Sequence, residues 1–169
     1  MKITALLPML LALLVSGAPA LAQTTAQSSP EDRQRFVTIV HKLEKTPLDA
    51  GVRSDRGWAI QWLTDAPDVS VTVCSDMLGG VLEERYAQHP IVIAQYMLGM
   101  GAFVVEHPDK ASDSDAVQLA GVESALTVYR AVRADQPSPA LDKLAALKDR
   151  GELPGFVRQT FRKKCKGGG

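Results

Sequence analysis

The sequence predicts an all-α fold: a compact helical bundle of about six to seven helices, tied by one disulfide. Ser-Pro or Thr-Pro pairs occur at three places, and such pairs start helices because the hydroxyl caps and proline fits the first turn. Apolar residues recur at helical spacing after these pairs. One run alone, at residues 69–73, alternates as a β-strand does, and a strand needs a partner.

The first part of the chain contains two predicted helices. Ser29-Pro30 starts the first, which ends near Lys45. Thr46-Pro47 repeats the signal and predicts a second helix that ends before Pro67. Two glycines weaken that helix, so residues 50–55 are alternatively a loop.

Residues 69–73, VSVTV, can be interpreted in two ways. Valine alternates with small hydroxyl residues, which is the period of a strand. The run continues into Cys74 and further apolar residues, however, and Asp68 is a suitable helix cap. Because the chain has no second alternating run, we favour a helix from Asp68 to about Tyr86, bent at Gly79-Gly80.

Four more helices are predicted in the second part of the chain. The first of these has almost no polar face, which is typical of a helix surrounded by others, so it belongs at the centre of the bundle. Their predicted spans are Pro90 to about Glu106, Val117 to Ala134, Ser138-Pro139 to Gly151, and Leu153 to about Lys164.

Residues 1–22 have the features of a secretory signal peptide. Lys2 precedes an apolar run, and Ala20-Leu21-Ala22 is a small-x-small cleavage pattern. We therefore expect a bacterial protein that is periplasmic or secreted, without a transmembrane segment after cleavage. Residues 23–28 are a predicted disordered lead-in, residues 29–166 a single helical domain and residues 167–169 a flexible tail.

The formal net charge is zero, because the sequence contains 19 Lys and Arg residues and 19 Asp and Glu residues. Neutrality argues against a general nucleic-acid binder, which is usually strongly basic.

Cys74 and Cys165 are the only cysteines. An even count in an exported chain predicts a disulfide between them, with two separate thiols as the alternative.

Recognised catalytic motifs are absent from the sequence. An enzymatic alternative, hydrolytic or metal-dependent, places its site at Glu106, His107 and Asp109. His41 and Glu44 lie one turn apart, as two ligands of a metal would, but a complete site needs ligands from other helices. We expect a solvated surface pair there, and neither a metal nor a cofactor.

Two surfaces are candidates for contact with a partner. Trp58 and Trp62 lie one turn apart and can present a shared aromatic face, although core packing is the commoner reason for such spacing. The other candidate is the basic run of the last helix, which suits an anionic surface but equally suits a helix C-terminus. Its residues are Arg158, Arg162, Lys163 and Lys164.

Met97 and Met100 give the central helix an adaptable apolar patch beside Gly99 and Gly101. Close helix packing is the simpler interpretation of this patch. The alternative is a carrier that holds an apolar ligand between helices.

Three stretches resemble secreted helical proteins of bacteria to which no activity is attached. They are residues 67–78 (PDVSVTVCSDML), 103–110 (FVVEHPDK) and 120–129 (AGVESALTVY). The resemblance implies no site. The expected function is therefore a non-enzymatic binding or structural module of the bacterial cell envelope, with another envelope protein or an anionic surface as its partner.

Overall fold

A computed structural model describes residues 27–83 and 86–165, and in these ranges the regular structure is entirely helical. The predicted all-α fold is confirmed. The helices are α1 (Pro30–Lys45), α2 (Val52–Asp65), α3 (His89–Glu106), α4 (Ser114–Val132), α5 (Pro139–Asp149) and α6 (Leu153–Thr160). Short 3-10 turns at Ser75–Leu78 and Pro108–Lys110 and a π-turn at Phe161–Cys165 complete the described part.

Two of the three predicted helix starts are confirmed. The hydroxyl of Ser29 accepts the amide of Asp32, and that of Ser138 accepts the amide of Leu141. The start at Thr46-Pro47 is wrong, because Thr46 ends α1 and donates its amide to the carbonyl of Lys42. The chain then turns, and α2 begins only at Val52.

The predicted helix from Asp68 to Tyr86 is wrong. Residues 69–74 form neither helix nor turn, and nothing in the described chain pairs with them as a strand. Asp68 caps no helix, because its carboxylate accepts hydrogen bonds from Arg33 and the Ser28 amide. The turn that follows ends at Gly79 and Gly80, whose φ angles of 63° and 90° are left-handed and favour glycine.

The centre of the bundle is the contact between α3 and α4. A Cβ atom on Gly99 would lie 2.4 Å from Cβ of Ser124, and one on Gly121 would lie 2.5 Å from Cγ of Met100. The two helices therefore approach more closely than side chains larger than hydrogen permit at these points. The close packing expected around Met100 is confirmed, and the predicted central position of this helix is confirmed with it.

A buried polar pair also crosses this contact. The Tyr96 hydroxyl donates to the Gln118 side-chain oxygen, and both side chains are almost inaccessible. Burial raises the pKa of Tyr96 to about 12, so the phenol keeps its proton and acts as a donor. Polar groups buried in this way stabilise a fold only when they are paired.

Cys74 and Cys165 form the predicted disulfide, with their Cα atoms 5.8 Å apart. The bond joins Cys74, at the end of the irregular segment 69–74, to the π-turn that follows α6. Phe161, on the same π-turn, is buried in the core. The end of the last helix is thus fixed both covalently and by apolar packing.

By length and composition alone, α3 is the one helix of the described chain that could cross a membrane, and 56% of its 18-residue window is buried inside the bundle. The predicted signal peptide, most of the lead-in and the tail lie outside the described residues. Of the lead-in, residues 27 and 28 are described, and Ser28 donates its amide to Asp68.

We predict that Gly121→Ala lowers the free energy of unfolding by about 2 kcal/mol. The added methyl group would meet Met100 and, at 2.7 Å, the backbone oxygen of Tyr96, so α3 and α4 must separate. Denaturant unfolding measures the change. The matched control is Gly57→Ala in α2, where a Cβ meets nothing within 4 Å and helix propensity should raise stability by about 0.5–1 kcal/mol. Equal effects of the two substitutions would contradict the packing argument.

We predict that removing the disulfide by Cys74→Ala and Cys165→Ala lowers the free energy of unfolding by about 4–5 kcal/mol. The reason is that the bridge closes a loop over a sequence separation of 91 residues in the unfolded chain. Unfolding of the oxidised and the reduced wild-type protein provides the control, and reduction should reproduce the loss. A double variant as stable as the oxidised protein would show that the bridge contributes nothing.

Candidate functional site

The Trp58 and Trp62 pair is the first predicted contact surface. Their rings stack with centroids 6.4 Å apart, and Trp62 packs in turn on Phe36 at 4.4 Å. The guanidinium of Arg35 lies 3.9 Å from the centroid of Trp58. Both tryptophans are half-buried, and a cation already covers Trp58, so part of this aromatic face is engaged within the chain.

The basic run is the second predicted contact surface, and most of its charge is paired. Arg158 and Arg162 lie 3.5 and 3.7 Å from the carboxylate of Asp115. Lys164 lies 2.9 Å from Asp76, which leaves Lys163 without an ion pair among the described residues. The positive field expected from the sequence is therefore weakened by acids from other elements. The contact role of both surfaces stays a prediction.

His41 lies between two carboxylates, in a surface cleft of about 200 Å³. Its Nδ1 is 3.1 Å from Glu44, and its Nε2 is 3.1 Å from Glu106 on α3. The hydrogen bond to Glu44 is the main cause that raises the pKa of His41 above 6.5. Partial burial opposes this effect, and Glu106 adds to it. Both ring nitrogens can donate only in the imidazolium form, so the arrangement favours the protonated ring.

Ser124 joins the same cleft but does not contact His41. Its hydroxyl donates to Glu44 at 2.6 Å and accepts from Gln95 at 2.9 Å. A nucleophilic serine is activated by an adjacent base that takes its proton, usually a histidine. Here a carboxylate separates the serine from the histidine, so the cleft does not have the geometry of a nucleophile and its base.

The structure separates the residues of the predicted enzymatic site. Glu106 faces His41, whereas the ring of His107 packs on Phe103 with centroids 4.7 Å apart. Asp109 is exposed on the 3-10 turn after α3. In the described residues, no group of three or more His, Cys, Asp or Glu side chains is arranged to hold a metal ion. The cleft at His41 was not predicted, because its third member comes from a different helix.

A groove of about 410 Å³ lies beside Met97, between α2, α3 and residues 66–71. Met97 is half-buried and lines the groove, whereas Met100 is fully buried and takes no part in it. Of the two methionines that were predicted to form an apolar patch, only Met97 lies at a cavity. The lining residues are Ile60, Leu63, Thr64, Ala66, Pro67, Val69, Ser70, Val71, Met97 and Leu98.

Both helices and irregular chain contribute walls to the groove. Ile60 and Leu63 come from α2, and Met97 comes from α3. The opposite wall is residues 66–71, which the chain crosses without forming a helix. The lining residues carry no formal charge, and Thr64 and Ser70 contribute hydroxyl groups. Apolar side chains therefore line the groove together with a comparable share of polar atoms, and ligand sites combine groups of both kinds.

Comparisons with protein-family models, with curated proteins and with solved structures found no match. The fold and the groove are therefore the observations on which a function can be based.

We predict that His41 stabilises the fold in acid and loses this effect as the pH rises. The raised pKa means that the folded state binds the proton more tightly than the unfolded state. The contribution is complete below the unfolded pKa near 6.5 and disappears as the pH rises through the folded pKa.

The measurement is the melting temperature of wild type and His41→Gln between acid and alkaline pH. Wild type should be the more stable at low pH, and the difference should shrink in alkali. His107→Gln is the control, because His107 packs on Phe103 and has no carboxylate partner in the described chain. A constant difference across the pH range would show that the charge of His41 does not matter.

Proposed function

We propose that this protein is an exported, non-enzymatic binding module of the bacterial cell envelope, and that the groove beside Met97 is its ligand site. The observation that carries the proposal is the groove itself. Its volume of about 410 Å³ lies in the range of small-molecule sites, and eight of its ten lining residues are apolar. Burial of apolar surface is the dominant favourable contribution to most association.

The disulfide supports the exported location. Bonds of this kind persist in oxidising compartments such as the periplasm and are rare in the cytosol. The predicted signal peptide agrees with this compartment. The lining residues of the groove include no charged side chain, which agrees with a binding role.

The groove is also a better candidate than the two surfaces predicted from the sequence. Acids already pair most of the basic run, and Arg35 covers Trp58. The groove, in contrast, has an exposed apolar rim, because Ile60 keeps 36% of its surface accessible. A ligand there would bury surface that the fold leaves in water.

We predict that Ile60→Ala weakens the binding of a fluorescent apolar probe, N-phenyl-1-naphthylamine, about fivefold. The loss corresponds to about 1 kcal/mol, as expected for removing partly buried methyl groups from a contact. Fluorescence titration gives the dissociation constant.

Leu48→Ala is the matched control, because Leu48 is an exposed apolar residue that does not line the groove. It should leave the affinity unchanged. An undetectable affinity of the wild-type protein for the probe would refute the groove as an apolar site, and equal losses in both variants would place the probe elsewhere.

A further inference from the structure

Among the described residues, the groove holds the one methionine that solvent can reach. Met97 is half-buried and lines the groove, whereas Met77 and Met100 are fully buried. Met1 and Met9, the two others in the sequence, belong to the predicted signal peptide. A reagent dissolved in water therefore meets Met97 first among the methionines of the helical domain.

The chain also has no free thiol to compete with this methionine for an oxidant. Cys74 and Cys165 are the only cysteines, and both are bound in the disulfide. Protein sulfur is oxidised at thiolates and at the thioethers of methionine, and the first kind of target is missing here. The thioether of Met97 is therefore the accessible oxidisable sulfur of the folded domain.

We infer that Met97 is a site of oxidative modification, and that its conversion to the sulfoxide weakens ligand binding in the groove. The second part rests on the proposed function and adds a form of regulation to it. The oxidant is a hydroperoxide, here hydrogen peroxide. A lone pair of the sulfur forms the new S–O bond as the O–O bond breaks, and the departing oxygen takes up the proton and leaves as water. The sulfur is oxidised by two electrons and the peroxide is reduced by two, so no further reactant is needed.

The effect on binding follows from the polarity of the product. Oxidation converts a flexible apolar side chain into a polar one that carries a hydrogen-bond acceptor. Water can bond this oxygen in the free protein, because Met97 is accessible. An apolar ligand would displace that water and supply no donor in its place, which costs free energy. The oxidised protein should therefore bind such a ligand more weakly.

The position of Met97 also explains why the fold should survive its oxidation. Met100, three residues further along α3, packs at the contact with α4, where a Cβ atom on Gly121 would lie 2.5 Å from its Cγ. A sulfoxide there would put a polar group into the core. Met97 keeps part of its surface in water, so its oxygen needs no place in the core.

The first test treats the disulfide-bonded full chain with hydrogen peroxide and locates the added oxygen by tandem mass spectrometry of its peptides. Met97 should react at least about tenfold faster than Met77 and Met100, because an oxidant reaches the two buried side chains only when the structure opens locally. The control is the same reaction in denaturant, where the three methionines should react at similar rates.

The second test measures the affinity for N-phenyl-1-naphthylamine before and after peroxide treatment. The wild-type affinity should fall about fivefold or more. Met97→Leu is the matched variant, because leucine is apolar and has no sulfur, so its affinity should be the same before and after treatment. Met97→Gln imitates the polarity of the sulfoxide and should bind the probe weakly without peroxide. Melting temperatures verify that each form is folded.

The outcomes separate the modification from the proposed function. Equal oxidation rates of the three methionines in the folded protein overturn Met97 as the modification site. Selective oxidation with unchanged probe affinity overturns the effect on the groove, as does an equal loss of affinity in treated Met97→Leu. If the untreated wild-type protein does not bind the probe, the proposed function and its regulation both fail, and the oxidation rates alone decide the modification site.

Discussion

The close approach of α3 and α4 is the constraint on which the other features depend. Glycine at positions 99 and 121 lets the two helix backbones meet, and the side chains beside them then face each other across a short distance. Tyr96 reaches Gln118 in this way, and Gln95 reaches Ser124. A wider separation would break both bonds and leave polar groups buried without partners, which is among the more destabilising changes a core can suffer.

These two polar pairs also form hydrogen bonds to parts of the chain outside the central helices, and so help to position them. Gln118 and Tyr96 bind the irregular segment 69–74, and residues 69–71 of this segment line the groove. Ser124 contacts Glu44, which in turn contacts His41, so the other pair ties α1 to the centre. The cleft and the groove are thus both connected to the α3–α4 contact by hydrogen bonds.

Local signals made much of the fold predictable, and long-range contacts account for what was missed. The caps at Ser29 and Ser138 depend on amides three residues away, so the sequence contains the complete signal. Residues 69–74 depend on Tyr96, Gln118 and Cys165, and nothing in the alternation of valine and hydroxyl residues indicates these partners. Without these partners, the only argument for a helix in this run was the absence of a second alternating run. The same difference between local and long-range signals holds for the candidate sites. Met97 could be predicted from its own apolar helix, whereas His41 and Glu106 are 65 residues apart in the sequence and no local pattern connects them.

The disulfide has a consequence for the order in which the molecule matures. Its two sulfur atoms are separated by 91 positions, so α3, α4, α5 and α6 must all emerge before the bond can close. Cys74 carries a free thiol throughout that interval, open to exchange with an oxidase or with another thiol. The segment beside it gains its covalent attachment only when oxidation is complete. Oxidation therefore attaches residue 74 covalently to the end of the chain only after these four helices have been made, and a reducing compartment would leave that attachment unmade.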